Sequence, residues 1–148
     1  MVYTLVAMKR ASDVVWPTAE AHLCEREGWV RGTILPDLIG PEYVVDAMIS
    51  GGLAVHRMIG KDGEEWTLDE GWTISTINGL RITCGGRVFA TCNAALKVAE
   101  QMGTQDPAWI EWTEKRAKLS DGHREKLCML FEGAEADGEI LSLLTTVR

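Results

Sequence analysis

The stretch "GWTISTINGLRITCGGRVFATCNAALKVAEQM", residues 71 to 102, limits the possible folds more than any other part of the chain. Trp72, Ile74 and Thr76 alternate with Thr73 and Ser75, the period of a strand with two unlike faces. Asn78-Gly79 follows, a pair that tolerates the positive φ angles of a two-residue hairpin turn. Leu80, Ile82 and Cys84 alternate on the return. Gly85-Gly86 marks a second tight turn, and "RVFA" a third short strand. Thr91 suits a helix N-cap, after which Ala95, Leu96, Ala99 and Met102 recur at helical spacing until Gly103 ends the helix. The stretch predicts three antiparallel strands followed by a helix laid across them.

The flanks extend this unit. "LAVHRMIG", the turn "KDG" and "EEWTLD" read as a further hairpin, giving an antiparallel meander of about five strands over residues 53–90. "GPEYVVDAMISGG" reads as a short helix, with Pro41 in its first turn and glycines at its end. "WPTAEAHLCEREG" reads as another, closed by Gly28, with "WVRGTIL" a strand between them and "MVYTLVAMKR" a first strand. Downstream, Asp106-Pro107 caps a helix to about Leu119. Ser120-Asp121 caps the next, whose apolar stripe is Leu127, Leu130 and Phe131. "EGAEADGE" reads as a loop, and Asp137 as the cap of a last helix, "GEILSLLTTV". The predicted class is α+β, with helices before the meander and a helical C-terminal third. One domain spans 1–148: a mixed part (1–52), the meander with its helix (53–103) and a helical part (104–148). A chain of 148 residues holds one real core and is short for two.

Charge narrows the partners. The net charge is −7, and Met1 to Glu70 carries twelve Asp/Glu against six Lys/Arg. Neutralising phosphates needs local positive charge, so general nucleic-acid binding is disfavoured, while basic partners are favoured. No apolar run is long enough to span a bilayer. The N-terminus reads as a strand and not a signal peptide, so the expected location is cytoplasmic. Cys24, Cys84, Cys92 and Cys128 show no C-x-x-C pair, and free, packed thiols are expected.

Residues 72–100, "WTISTINGLRITCGGRVFATCNAALKVAE", resemble a hairpin-plus-helix module of small phage and mobile-element proteins. The matching features are a Trp, alternating Thr/Ser and Ile, a Gly-Leu turn, a short strand ending in Phe, and an Ala-rich helix. The resemblance implies a regulator, an inhibitor of host machinery or a nucleic-acid-associated accessory protein. It carries no catalytic residue.

No catalytic motif stands out. His22 with Cys24, His123 with Cys128, and Cys84 with Cys92 lack the closely paired spacing of zinc ligands, and no metal or cofactor is expected. Cys92 opens a predicted helix, where the dipole favours a thiolate, but His22, His56 and His123 have no sequence relation to it that makes one of them its base. Gly85-Gly86 lacks the spacing of a phosphate loop.

Two clusters qualify as binding surfaces. Glu64, Glu65, Asp69 and Glu70 flank Trp66, an aromatic anchor among carboxylates suited to a basic partner. Alternatively, Trp109 and Trp112 lie three apart on a predicted helix, followed by Lys115, Arg116 and Lys118, a pattern that stacks on bases or holds phosphates. The first reading is a small non-enzymatic binding protein, encoded by a phage or mobile element, that occludes a host nucleoprotein complex in the anti-CRISPR or anti-restriction manner. The competing readings are a nucleic-acid accessory protein using the basic helix pair, and an enzyme of unrecognised type.

Overall fold

A computed structural model describes residues 9–10, 23–34, 43–62, 65–109, 111 and 119–141. The strands are β1 (Lys9–Arg10), β2 (Val30–Ile34), β3 (Tyr43–Ser50), β4 (Leu53–Asp62), β5 (Glu65–Thr76) and β6 (Arg81–Ile82). The helices are α1 (Cys92–Met102) and α2 (Asp121–Ala136). β2 to β6 form a five-stranded antiparallel meander, and β1 adds to β3 in parallel. The fold is α+β as expected, but the meander runs from residue 30 to residue 82 rather than from 53 to 90.

The shift has two causes. "YVVDAMIS" is strand β3 and not a helix. Its β-branched residues suit a pleated surface, and β2 and β4 satisfy its backbone from either edge. The glycines expected to end a helix form a two-residue turn: Ser50 pairs with Leu53 around Gly51-Gly52. The second cause is that "EEWTLD" and "WTIST" are one strand. β5 is continuous, but its register with β4 slips between the pairs Arg57–Trp72 and Ile59–Leu68. Three β5 residues there oppose one on β4, a bulge that contains Gly71 at φ +96°.

Asn78-Gly79 does turn the chain between β5 and β6, but in a three-residue loop. Ile74 pairs with Ile82 and Ser75 with Arg81, which leaves Ile77, Asn78 and Gly79 between Thr76 and Leu80. The Gly79 N–H donates to Thr76 O at 2.9 Å, and Gly79 takes φ +92°. This matches the pattern of a tight turn closed by a left-handed glycine. "RVFA" forms no full strand; Phe89 makes single bridges to Trp72 and Ile140.

α1 begins and ends where expected. The Thr91 side chain accepts the Ala94 N–H at 3.1 Å, and Gly103 at φ +96° closes the helix. Its apolar face, including Ala95, Leu96 and Ala99, packs on Leu53, Val55 and Ile74 of the sheet. α2 is capped by Ser120 and presents Leu127, Phe131 and Ala134 to that core, with the Phe131 ring 5.1 Å from Phe89. It runs through "EGAEA", which is helix and not loop. Gly138 at φ +74° ends it and Asp137 is its C-cap; residues 142–148, most of the expected last helix, lie outside the described residues. Glu139 to Leu141 instead run extended along Val88–Ala90. The Ala90 N–H donates to Glu139 O at 2.7 Å, and the Leu141 N–H to Val88 O at 3.0 Å. These bonds occupy a backbone edge that would otherwise be bare.

The N-terminal helix is also corrected. Leu23 to Arg26 is irregular and turns at Gly28, φ +88°; residues 16–22 lie outside the described set. Side chains hold this segment to α1. The Arg26 guanidinium donates to both Glu100 oxygens at 2.8 and 2.9 Å and to Asn93 at 2.7 Å, and the Trp29 indole N–H donates to Glu100 at 3.0 Å. These contacts span some 70 positions, so local propensity could not forecast them.

Candidate functional site

The acidic cluster falls on the outer half of the β4–β5 hairpin. Beyond the bulge, Ile59 pairs with Leu68, Gly60 with Thr67, Lys61 with Trp66 and Asp62 with Glu65. Among the described residues no other strand pairs with this stretch, so it is a two-stranded ribbon continuing out of the sheet. Glu65 and Trp66 lie on its β5 backbone, and Asp69 and Glu70 in the bulge at its base. Glu64 lies outside the described residues. Where the ribbon joins the sheet, Arg57 places its guanidinium 5.1 Å from the centroid of the buried Trp72 ring.

The second predicted cluster divides. Trp109 is core, 2% exposed, and its indole N–H donates to Gly103 O at 2.9 Å. It is not available to stack on a base. Trp112, Lys115, Arg116 and Lys118 lie outside the described residues.

The structure also assembles a site that the sequence reading did not. An open cavity of about 320 Å³ lies where the start of α2 meets the end of α1, floored by Met102, Trp109 and Leu127. On its wall Asp106, His123 and Ser120 form a hydrogen-bonded line. His123 Nε2 lies 2.8 Å from Asp106 Oδ2, and His123 Nδ1 lies 2.6 Å from Ser120 Oγ. A carboxylate only accepts, so Nε2 carries a proton toward Asp106, and in the neutral ring Nδ1 accepts from the Ser120 hydroxyl. Asp106 Oδ1 accepts the Ala108 N–H at 2.9 Å. That bond first, and the His123 contact second, hold the Asp106 carboxyl below its usual range. The His123 ring stands edge-on to Trp109, centroids 5.7 Å apart.

Sequence reading did find Asp106 and Ser120, but only as helix caps. Each does cap: the Ser120 hydroxyl also accepts the His123 N–H at 3.1 Å. What it missed is that His123, three residues into α2, bridges the two caps. The signal was the Ser-x-x-His spacing, which puts a ring at the third helical position within reach of the cap.

The remaining candidates separate cleanly. Cys92 is buried, and burial foremost pushes its thiol up to about 12. The ring nitrogens of His56 and His123 are bonded elsewhere, to Arg57 and Ser75 and to Ser120 and Asp106, so neither serves Cys92. His22 lies outside the described residues. Among the described residues no three His, Cys, Asp or Glu side chains come together as a metal site, and no helix is long and apolar enough to cross a membrane. No protein-family model, curated protein or solved structure matches this chain.

Proposed function

We propose that this is a small non-enzymatic binding protein that docks its acidic β4–β5 ribbon into a basic groove of a host protein or nucleoprotein complex. The single observation behind this reading is the bulge at Gly71, beyond which the hairpin pairs only with itself among the described residues. A narrow ribbon bearing Glu65 and Trp66, with Asp69 and Glu70 in the bulge at its base, reaches into a groove that a flat sheet face would not enter. Carboxylates there compete with nucleic acid for the same Lys and Arg side chains. The proposal includes a phage or mobile-element origin, a cytoplasmic site of action and an anti-CRISPR or anti-restriction type of inhibition. The test compares proteins captured from nuclease-treated host lysate by the parent and by a Glu64→Lys, Glu65→Lys, Asp69→Lys variant. A basic nucleic-acid-binding protein should be captured by the parent and lost from the variant; equal capture by both overturns the reading.

A second reading has its own observation, the Asp106–His123–Ser120 line on a cavity wall. There the protein would hydrolyse small acyl esters. Ser120 Oγ bonds to the carbonyl carbon as His123 Nδ1 takes its proton, and Asp106 steadies the imidazolium. The departing alkoxide takes that proton, and water then cleaves the acyl-serine by the same route. A fluorophosphonate probe that labels Ser120 in the parent but not in His123→Ala supports this reading; an unlabelled parent removes it.

A further inference from the structure

The cavity beside α2 joins two surfaces of opposite character. Its floor, Met102, Trp109 and Leu127, is apolar, and each of these residues is less than a tenth exposed. Its wall is the Asp106–His123–Ser120 line, whose Asp106 and His123 side chains are about a third exposed. A space of about 320 Å³ suits one small molecule with an apolar body for the floor and a polar group for the wall.

The hydrogens on the wall decide what that polar group is. With His123 neutral, both wall protons are used inside the line, Nε2–H on Asp106 and the Ser120 hydroxyl on Nδ1. Such a wall has no proton to give a ligand. When His123 takes a second proton, both ring nitrogens donate. Nδ1–H then points to Ser120 Oγ, 2.6 Å away, and the Ser120 hydroxyl is left to donate outward. The same step makes the 2.8 Å contact with Asp106 an ion pair, which offsets the Asp106 charge. Lys126, exposed on the next turn of α2, also lines the cavity, and its charge acts on Asp106. Its ammonium makes no hydrogen bond or ion pair among the described residues. The other charges nearby leave this balance intact: Asp121 and Arg124 pair with each other at 2.6 Å, and Glu111 and Glu125 do not line the cavity. Protonated at His123, the site therefore offers an outward hydroxyl proton and a net positive charge.

We propose that this cavity binds a small carboxylate with an aromatic or short aliphatic body, and that binding draws a proton from solvent onto His123. The body lies on Met102, Trp109 and Leu127, and the carboxylate accepts from the Ser120 hydroxyl and Lys126. The ligand favours protonated His123, and linkage is reciprocal, so affinity rises as pH falls through the His123 titration. A cation is repelled by Lys126 and the imidazolium, and a neutral alcohol gains only the floor. No bond forms or breaks at Ser120, so the site is distinct from ester hydrolysis and from the docking ribbon.

The experiment titrates benzoate, ionised throughout, into the parent protein at pH 6 and pH 8, following the backbone amides of Gly122, His123 and Lys126 by nitrogen-15 NMR. Binding should be about tenfold tighter at pH 6, and calorimetry at pH 7 in two buffers of unlike ionisation heat should show net proton uptake. Benzylamine and benzyl alcohol, which carry the same ring with a cation or no charge, should bind about tenfold more weakly than benzoate at pH 6. Lys126→Ala, a change at an exposed position, should weaken benzoate about fivefold, the worth of an exposed ion pair, and leave the denaturation midpoint in place. His123→Gln should bind equally weakly at both pH values. The parent titration and Lys126→Ala decide the matter even where His123→Gln unfolds. No shift at the three amides, equal parent affinity at pH 6 and 8, or benzylamine bound as tightly as benzoate overturns the proposal.

Discussion

Among the described residues His56 is firmly held in one protonation state. Its ring is buried on the sheet face away from α1, Nδ1 donating to Arg57 O at 2.7 Å and Nε2 accepting from the Ser75 hydroxyl at 2.8 Å. Burial, aided by the nearby Arg81 guanidinium, lowers its pKa from 6.5 to about 4. Between those values the unfolded chain binds a proton that the folded protein refuses. Stability is therefore complete above pH 6.5 and declines as pH falls toward 4, by about 3 kcal/mol in all. The depressed carboxyls of Glu100 and Asp106 add their own loss at lower pH, as pH falls through their reduced pKa values. Urea midpoints at pH 7 and 4.5 should therefore differ for the parent and converge in His56→Gln; equal slopes in both proteins would refute the assignment. Gly51 is held as firmly by space. At φ +56°, a Cβ placed there would lie 2.1 Å from the backbone oxygen of Thr104, the oxygen that also accepts the Gly52 N–H at 2.8 Å. Gly51→Ala should destabilise by roughly 2–4 kcal/mol, strain plus displaced backbone, whereas Gly86→Ala, at φ +69° in open space, should cost only about 1 kcal/mol. Similar losses in equilibrium denaturation would show that the contact at Thr104 yields easily.

Among the elements, the Leu23–Trp29 segment depends most on side chains and least on its own backbone. Glu100 accepts from Arg26 twice and from Trp29 once, and Arg26 above all holds its carboxyl below the usual range. Both charged partners are about a third exposed, so solvent screens the pair. Glu100→Gln should cost about 1 kcal/mol or less globally, yet speed hydrogen exchange at Trp29 while leaving α1 unchanged. Exchange that is unaltered at Trp29 would mean the segment is held by packing alone. This element also marks the limit of what local sequence reveals. α1, the caps at Thr91 and Ser120, the β4–β5 hairpin and strand β2 were all legible, because period, cap and turn agree at each. β3 was misread because Pro41 and Gly51-Gly52 punctuate a helix as well as a strand, and the strands that decide between them are its neighbours in space. The end of α2 was misread because "EGAEADGE" looks polar enough for a loop, although its Ala and Glu are helix formers and Leu127, Phe131 and Ala134 anchor them. Asp106, Ser120 and His123 were each visible, but the line they form depends on the turn after α1 meeting the start of α2.

At the scale of the whole molecule, one long hairpin belongs to two mechanical regimes. From Leu53 to Arg57 and from Trp72 to Thr76 the strands lie within the sheet. Leu53, Val55, Trp72 and Ile74 sit in the core beneath α1, and His56, Thr73 and Ser75 are buried on the other face. From Ile59 to Asp62 and from Glu65 to Leu68 the same two strands pair only with each other among the described residues. An isolated two-stranded hairpin is marginally stable in water, so the outer half opens at a small fraction of the global unfolding energy. The bulge is what permits this, because Gly71 lets β5 change direction where the core ends, with Leu141 Cδ1 only 2.9 Å from where a Cβ would lie. Amide exchange should therefore step sharply across the bulge. Trp72, Ile74, Leu53 and Val55 should exchange only with global unfolding, while Ile59, Lys61 and Trp66 should exchange at least a hundredfold faster, a gap of roughly 3 kcal/mol or more. A ribbon that opens independently can be altered without cost to the core, so the Glu64→Lys, Glu65→Lys, Asp69→Lys variant should unfold at the parent's denaturant midpoint. Uniform protection along β4 and β5, or a midpoint that drops in the variant, would make the ribbon part of the structural core and remove its freedom to serve as a docking arm.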